Sequence, residues 1–102
     1  MKNLDMNTYS LRGEAAELSI LAMKFLGMNR THLMQFLDAS GYDVMKLREE
    51  AHNVSFMIGV LGFFLQDEEL LLNFCEWANI DPTTPKEAHQ FLENLQTEAE
   101  EE

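Results

Sequence analysis

Apolar residues recur along the chain at spacings of three and four, and nowhere do they alternate with polar ones for long enough to argue for a strand. The pattern therefore predicts helices throughout. A first helix spans Leu11 to Leu26, with Ser10 as N-cap and Gly27 as C′ stop, and Leu11, Ala15, Leu18, Leu21, Ala22, Phe25 and Leu26 share one face. A second starts after Asn29 and stops at Gly41, with Leu33, Phe36 and Leu37 on its inner side. The short third helix, Val44 to about Ala51, is capped by Asp43. Tyr42 and Leu47 stand where a hydrophobic staple would hold them, and Val44, Leu47 and Ala51 turn inward.

The fourth segment, "VSFMIGVLGFFLQ" from Val54 to Gln66, carries no charge, and apolar residues cover most of its girth. A helix of that kind must be surrounded, so it is the central one. Only Ser55, Gly59, Gly62 and Gln66 form a small or polar strip along it. Glycine costs a helix about 1 kcal/mol relative to alanine, and close approach of a neighbouring helix would explain that cost. The fifth helix begins after Asp67, with Glu68 and Glu69 at the positive end of its dipole, and ends near Asn79. Along it Leu70, Phe74 and Trp77 make one line, with Leu71, Cys75 and Ala78 beside it, which assigns both aromatic rings to the core. The sixth opens on Thr84, Pro85, Lys86 and Glu87, a capping box with proline at the first helical position, and docks through Ala88, Phe91, Leu92 and Leu95. The expectation is one all-α domain, a bundle of about six short helices in irregular or orthogonal packing. Residues 1–10 form a loose arm and residues 97–102 an acidic, disordered tail.

Composition agrees with a packed core: 46% of residues are hydrophobic, with seven Phe and seven Met. Charge adds an asymmetry. The net charge is −11, but the first 48 residues hold six of the seven bases beside five acids, and from Glu49 onward only Lys86 is basic, against thirteen acids. The negative field of the second half disfavours nucleic-acid backbones and anionic lipid surfaces, so neither is an expected partner. The lone Cys75 forms no disulfide within the chain, the N-terminal stretch has no apolar run of signal-peptide length, and the longest uncharged apolar stretch, Val54 to Gln66, is too short to span a membrane, so a cytoplasmic protein is expected.

Candidate chemistry is sparse. His32, His52, His89 and Cys75 are scattered over four segments without the paired spacing a metal needs, and no cofactor is expected. Adjacent carboxylates such as Glu49 and Glu50 splay apart on a helix and form no acid and base pair. "LMQFLDASGYDVMKLREEA" has the outline of a helix-turn-helix, but its second helix mixes Lys46 and Arg48 with Asp43, Glu49 and Glu50 and lacks a basic face. What stands out instead are apolar residues off the packing stripes: Ile20 and Met23, Met34, Met45, and Leu72 between Glu69 and Glu76.

The stretches "EAAELSILAMKFLG", "LMQFLDASGYDVMKLREEA" and "FMIGVLGFFLQDEELLLNFCEWANIDP" resemble a small helical bacterial family of unknown function, found mainly in alphaproteobacteria. The likeness covers about Glu14 to Leu92. Its most specific parts are "FL..SG.D...LR..A" at Phe36 to Ala51 and "VL.FFL.DE.LL..F" at Val60 to Phe74. The resemblance implies a compact helical cytoplasmic protein and brings no activity, ligand or catalytic residue with it. The expected function is a non-enzymatic module that binds a protein partner through Ile20, Met23, Met45 and Leu72. Two alternatives stand beside it: a ligand binder or enzyme with a pocket between the fourth and fifth helices near Phe63, Phe74 and Trp77, and an acidic helix-turn-helix-like regulator or DNA mimic.

Overall fold

The computed structural model describes the backbone of residues 2–51 and 53–101 and the side chains of residues 13–43, 45–47, 49–51 and 53–97. His52 and the side chains of Leu11, Val44, Arg48 and residues 98–102, on which expectations fell, lie outside that set. Among the described residues the chain forms six helices and no strand: α1 (Lys2–Gly27), α2 (Arg30–Ser40), α3 (Val44–Glu50), α4 (Val54–Leu65), α5 (Glu68–Ala78) and α6 (Thr83–Glu101).

Asparagine and aspartate start the helices. Asn29 Oδ1 accepts from the His32 amide at 3.0 Å, Asp43 Oδ1 from Lys46 at 2.8 Å, Asn53 Oδ1 from Ser55 at 2.8 Å and Asp67 Oδ1 from Leu70 at 3.2 Å. Each bond satisfies an amide that has no partner inside its helix. Two left-handed residues end helices: Gly41 (φ 81°) closes α2 with its N–H on Leu37 O, and Asn79 (φ 59°) closes α5. Beyond Asn79 the Ile80 amide reaches back to Cys75 O at 3.0 Å, and the half-buried Ile80 side chain packs on the core, as in a Schellman ending.

Three ends differ from expectation. α1 begins at Lys2, so Ser10 lies inside the helix and is not its N-cap. Residues 2–12 contain neither glycine nor proline, and extending an existing helix avoids the cost of nucleating a new one. Gly27 is the last residue of α1 and does not adopt a positive φ; the helix tightens instead through Met28 N–H to Phe25 O and Asn29 N–H to Leu26 O, both 3.1 Å. At α6 the start is set by Asp81 rather than by a Thr84 capping box. Its carboxylate accepts from the Thr83 amide at 2.9 Å and the Thr83 hydroxyl at 2.7 Å, while its carbonyl accepts from the Thr84 amide. Asp81, Pro82, Thr83 and Thr84 thus make a turn with proline at its second position, which feeds the helix two residues early.

α4 is central. Phe56, Met57, Val60, Leu61 and Phe64 are all buried, and the helix packs against α1, α2, α5 and most extensively α6. The small strip explains part of that contact. A Cβ on Gly62 would stand 3.3 Å from His89 Nε2 of α6, and further along the strip the Ser55 hydroxyl accepts from the Gln96 amide of α6. Gly59 meets nothing: a Cβ there would have open space, so close helix approach accounts for one of the two glycines only. α1 contributes Ala15, Leu18, Ala22 and Leu26 to the core, with Leu21 and Phe25 half-buried, and it also buries Ser19. The Ser19 hydroxyl is satisfied by donating to Ala15 O at 2.9 Å.

Candidate functional site

The space between α4 and α5, offered by the sequence as a ligand pocket, is filled with rings. Phe64 and Phe74 lie 4.8 Å apart between centroids, and Phe25 of α1 closes on Phe74 at 5.6 Å and on Phe64 at 6.2 Å. Tilted ring pairs at these distances add to the burial of their area. Phe74 is fully buried, but Trp77 is 43% exposed, which corrects its assignment to the core. Its ring lies against Phe25 (5.4 Å) and Phe74 (6.3 Å), tilted to both. α5 packs mainly on α4 and α1, and Trp77 is its next-to-last residue, so the indole lies at the end of the helix with part of its surface open to solvent.

The opposite flank of α1 is open. A groove of about 700 Å³ lies between α1, α3 and α4, lined by Ser19, Ile20, Met23, Lys24, Leu47, Ala51 and Phe56. Ser19 with Met23, and Ile20 with Lys24, are four apart and so stand one turn above each other on α1, while Leu47 on α3 and Ala51 at its C-cap repeat that spacing. Phe56 is the floor, itself buried and wedged edge-on between Tyr42 (5.3 Å) and Phe36 (6.2 Å). α3 leaves this gap because it is short and shares no extensive packing with another helix among the described residues.

The groove unites Ile20 and Met23, two of the four candidate residues. Met45, 77% exposed on α3, and Leu72, 47% exposed on α5, do not line it. Lys24, Leu47 and Phe56 were absent from the expected site. Leu47 and Phe56 had read as ordinary core positions, and only the distance of α3 from α1 turns them into groove walls. Lys24 did carry a signal, standing beside Met23 and four residues after Ile20.

The groove can hold apolar matter but has little means to transform it. Its one buried hydroxyl, Ser19, is already donated to the backbone, and Lys24 is the one charged side chain among its described lining residues. Elsewhere, burial first and the Asp81 carboxylate second push the Cys75 thiol up, so it stays protonated and weakly nucleophilic at neutral pH. Among the described residues no three His, Cys, Asp or Glu side chains gather where a metal ion could be held, and no helix is long and apolar enough to cross a membrane.

The profile of a family described as Protein of unknown function (DUF3572) matches residues 12–94. The chain belongs to that family. The DUF3572 match begins within α1 and runs into α6, so it takes in every lining residue of the groove. No curated protein and no solved structure matches the chain.

Proposed function

We propose that this DUF3572 protein is a non-enzymatic interaction module whose docking site is the groove between α1 and α3. One observation carries the reading: Ile20 and Met23, which stand off the main packing face of α1, face the same groove as Leu47 over a floor made by Phe56. Groove-forming methionine and branched aliphatic side chains adapt to a partner's apolar face at low cost. In this reading the protein acts in the bacterial cytoplasm, within the alphaproteobacterial range that the sequence resemblance implies, and its lone buried cysteine suits a reducing compartment.

Site-specific photo-crosslinking in the native host tests it. A crosslinker at Met23 is expected to join one defined protein, and Ile20→Glu in the same chain is expected to abolish that adduct. Equal adducts from Met23 and from the exposed Met45, unaffected by Ile20→Glu, would contradict the reading.

A second reading rests on size. A groove of about 700 Å³ falls within the roughly 300–1,000 Å³ of small-molecule sites, so an apolar ligand is the alternative occupant. Native mass spectrometry of the protein purified from its host separates the two, since a retained small molecule appears as a fixed mass increment that Ile20→Glu removes.

A further inference from the structure

We infer that the occupant of the groove is an amphipathic helix whose apolar stripe is flanked by a carboxylate, and that Lys24 is the residue that selects it. The inference rests on the docking role proposed above and adds the partner's chemistry. Three known modes of segment recognition are available to a groove of this kind. Strand addition needs an unpaired sheet edge, and the described residues contain no strand. Polyproline recognition needs a groove walled with aromatic rings, whereas the one aromatic residue among the described lining residues, Phe56, is its floor. A helix laid into a groove needs apolar walls spaced for side chains one turn apart. Ile20 and Met23 on one wall and Leu47 and Ala51 on the other provide them.

Charge then selects among helices. No acidic side chain lines the groove among its described residues, and Lys24 supplies the one charge. Most acids of the chain lie from Glu49 onward, with Glu68, Glu69 and Glu76 on α5 and Glu87 and Glu93 on α6; none of these lines the groove, nor do Glu17, one turn before Ile20, or Glu49 and Glu50, between Leu47 and Ala51. A basic helix is drawn toward α5 and α6 by that field, whereas an acidic flank finds its counter-charge at Lys24.

The experiment is panning of a phage-displayed helical-peptide library against the intact protein, followed by binding titrations of the enriched peptides with wild type, Lys24→Glu, Lys24→Arg and Ile20→Glu. Lys24 is exposed, so its variants keep the fold. The expected result is enrichment of Asp or Glu beside the apolar stripe, loss of binding with Ile20→Glu, about tenfold weaker binding with Lys24→Glu and a change of less than about twofold with Lys24→Arg. Peptides that depend on Ile20 but carry no acid and bind Lys24→Glu equally well would overturn the inference and leave the docking groove standing. Absence of any enriched peptide sensitive to Ile20→Glu would overturn both.

Discussion

The two flanks of α1 are built from similar residues and come out differently. Toward α5, Phe25, Phe64 and Phe74 interlock, and the space is full. Toward α3, Ile20, Met23, Leu47 and Phe56 surround a gap of about 700 Å³. Hydrophobicity does not distinguish the two. What differs is the helix on the far side: α5 has 11 residues with Leu70, Leu71, Phe74 and Cys75 all buried, whereas α3 has 7, and Leu47 within it and Ala51 at its C-cap are half-buried. A helix that buries little cannot be drawn close, and an open face is the result.

The comparison breaks first at Phe74. Phe74→Ala removes a fully buried ring and is expected to cost about 3–5 kcal/mol in denaturant unfolding, enough to leave a domain of this size marginal. Matched leucines sharpen the contrast. Leu70→Ala on α5 is expected to cost about 3 kcal/mol and Leu47→Ala on α3 about 1 kcal/mol, because Leu47 already borders a void. Equal losses at the two sites would mean that α3 is held as firmly as α5.

Much of this was legible in the sequence, for local reasons. The caps at Asn29, Asp43 and Asp67, the stop at Gly41 and the all-round apolar girth of α4 depend on residues within a few positions of each other, and the structure repeats them. Helical spacing correctly gave the direction of Leu72 and Phe74. It also aimed Trp77 at the core, and there it misled, because spacing gives the direction of a side chain and not whether a neighbour stands there. The groove was hidden for the same reason. Ile20 and Met23 were visible as odd residues, but their union with Leu47 depends on where α3 sits, and Leu47 is 24 or more positions further along the chain. Ser19 was overlooked because a serine that donates to its own helix's carbonyl can be buried without a distant partner.

Smaller effects probe the other packed face of α4. Gly59→Ala is expected to stabilise the protein by about 0.5–1 kcal/mol, since a Cβ there meets nothing, while Gly62→Ala gains less or loses because its Cβ presses on His89. Thermal unfolding of the pair measures the difference, and an equal gain at both positions would show that His89 yields freely. The smallest effect lies at Asp81. The Thr83 amide and then the Thr83 hydroxyl hold its carboxyl below the usual aspartate range, so its contribution to stability is present above the unfolded-state value and is lost as pH falls through the folded one. Asp81→Asn is therefore expected to be less stable than wild type at neutral pH and equal to it in strong acid, as followed by urea midpoints across that range.

The central claim is that the α3 side of α1 is the working face and the α5 side is structural. The most direct test is the methyl spectrum of the protein labelled at methionine, recorded while a peptide selected by panning is added. The account predicts a saturable shift of Met23, with the exposed Met34 of α2 unmoved and the buried Met57 changing little. A spectrum in which Met23 stays fixed while the indole signal of Trp77 shifts would place the working face on α5 and contradict it.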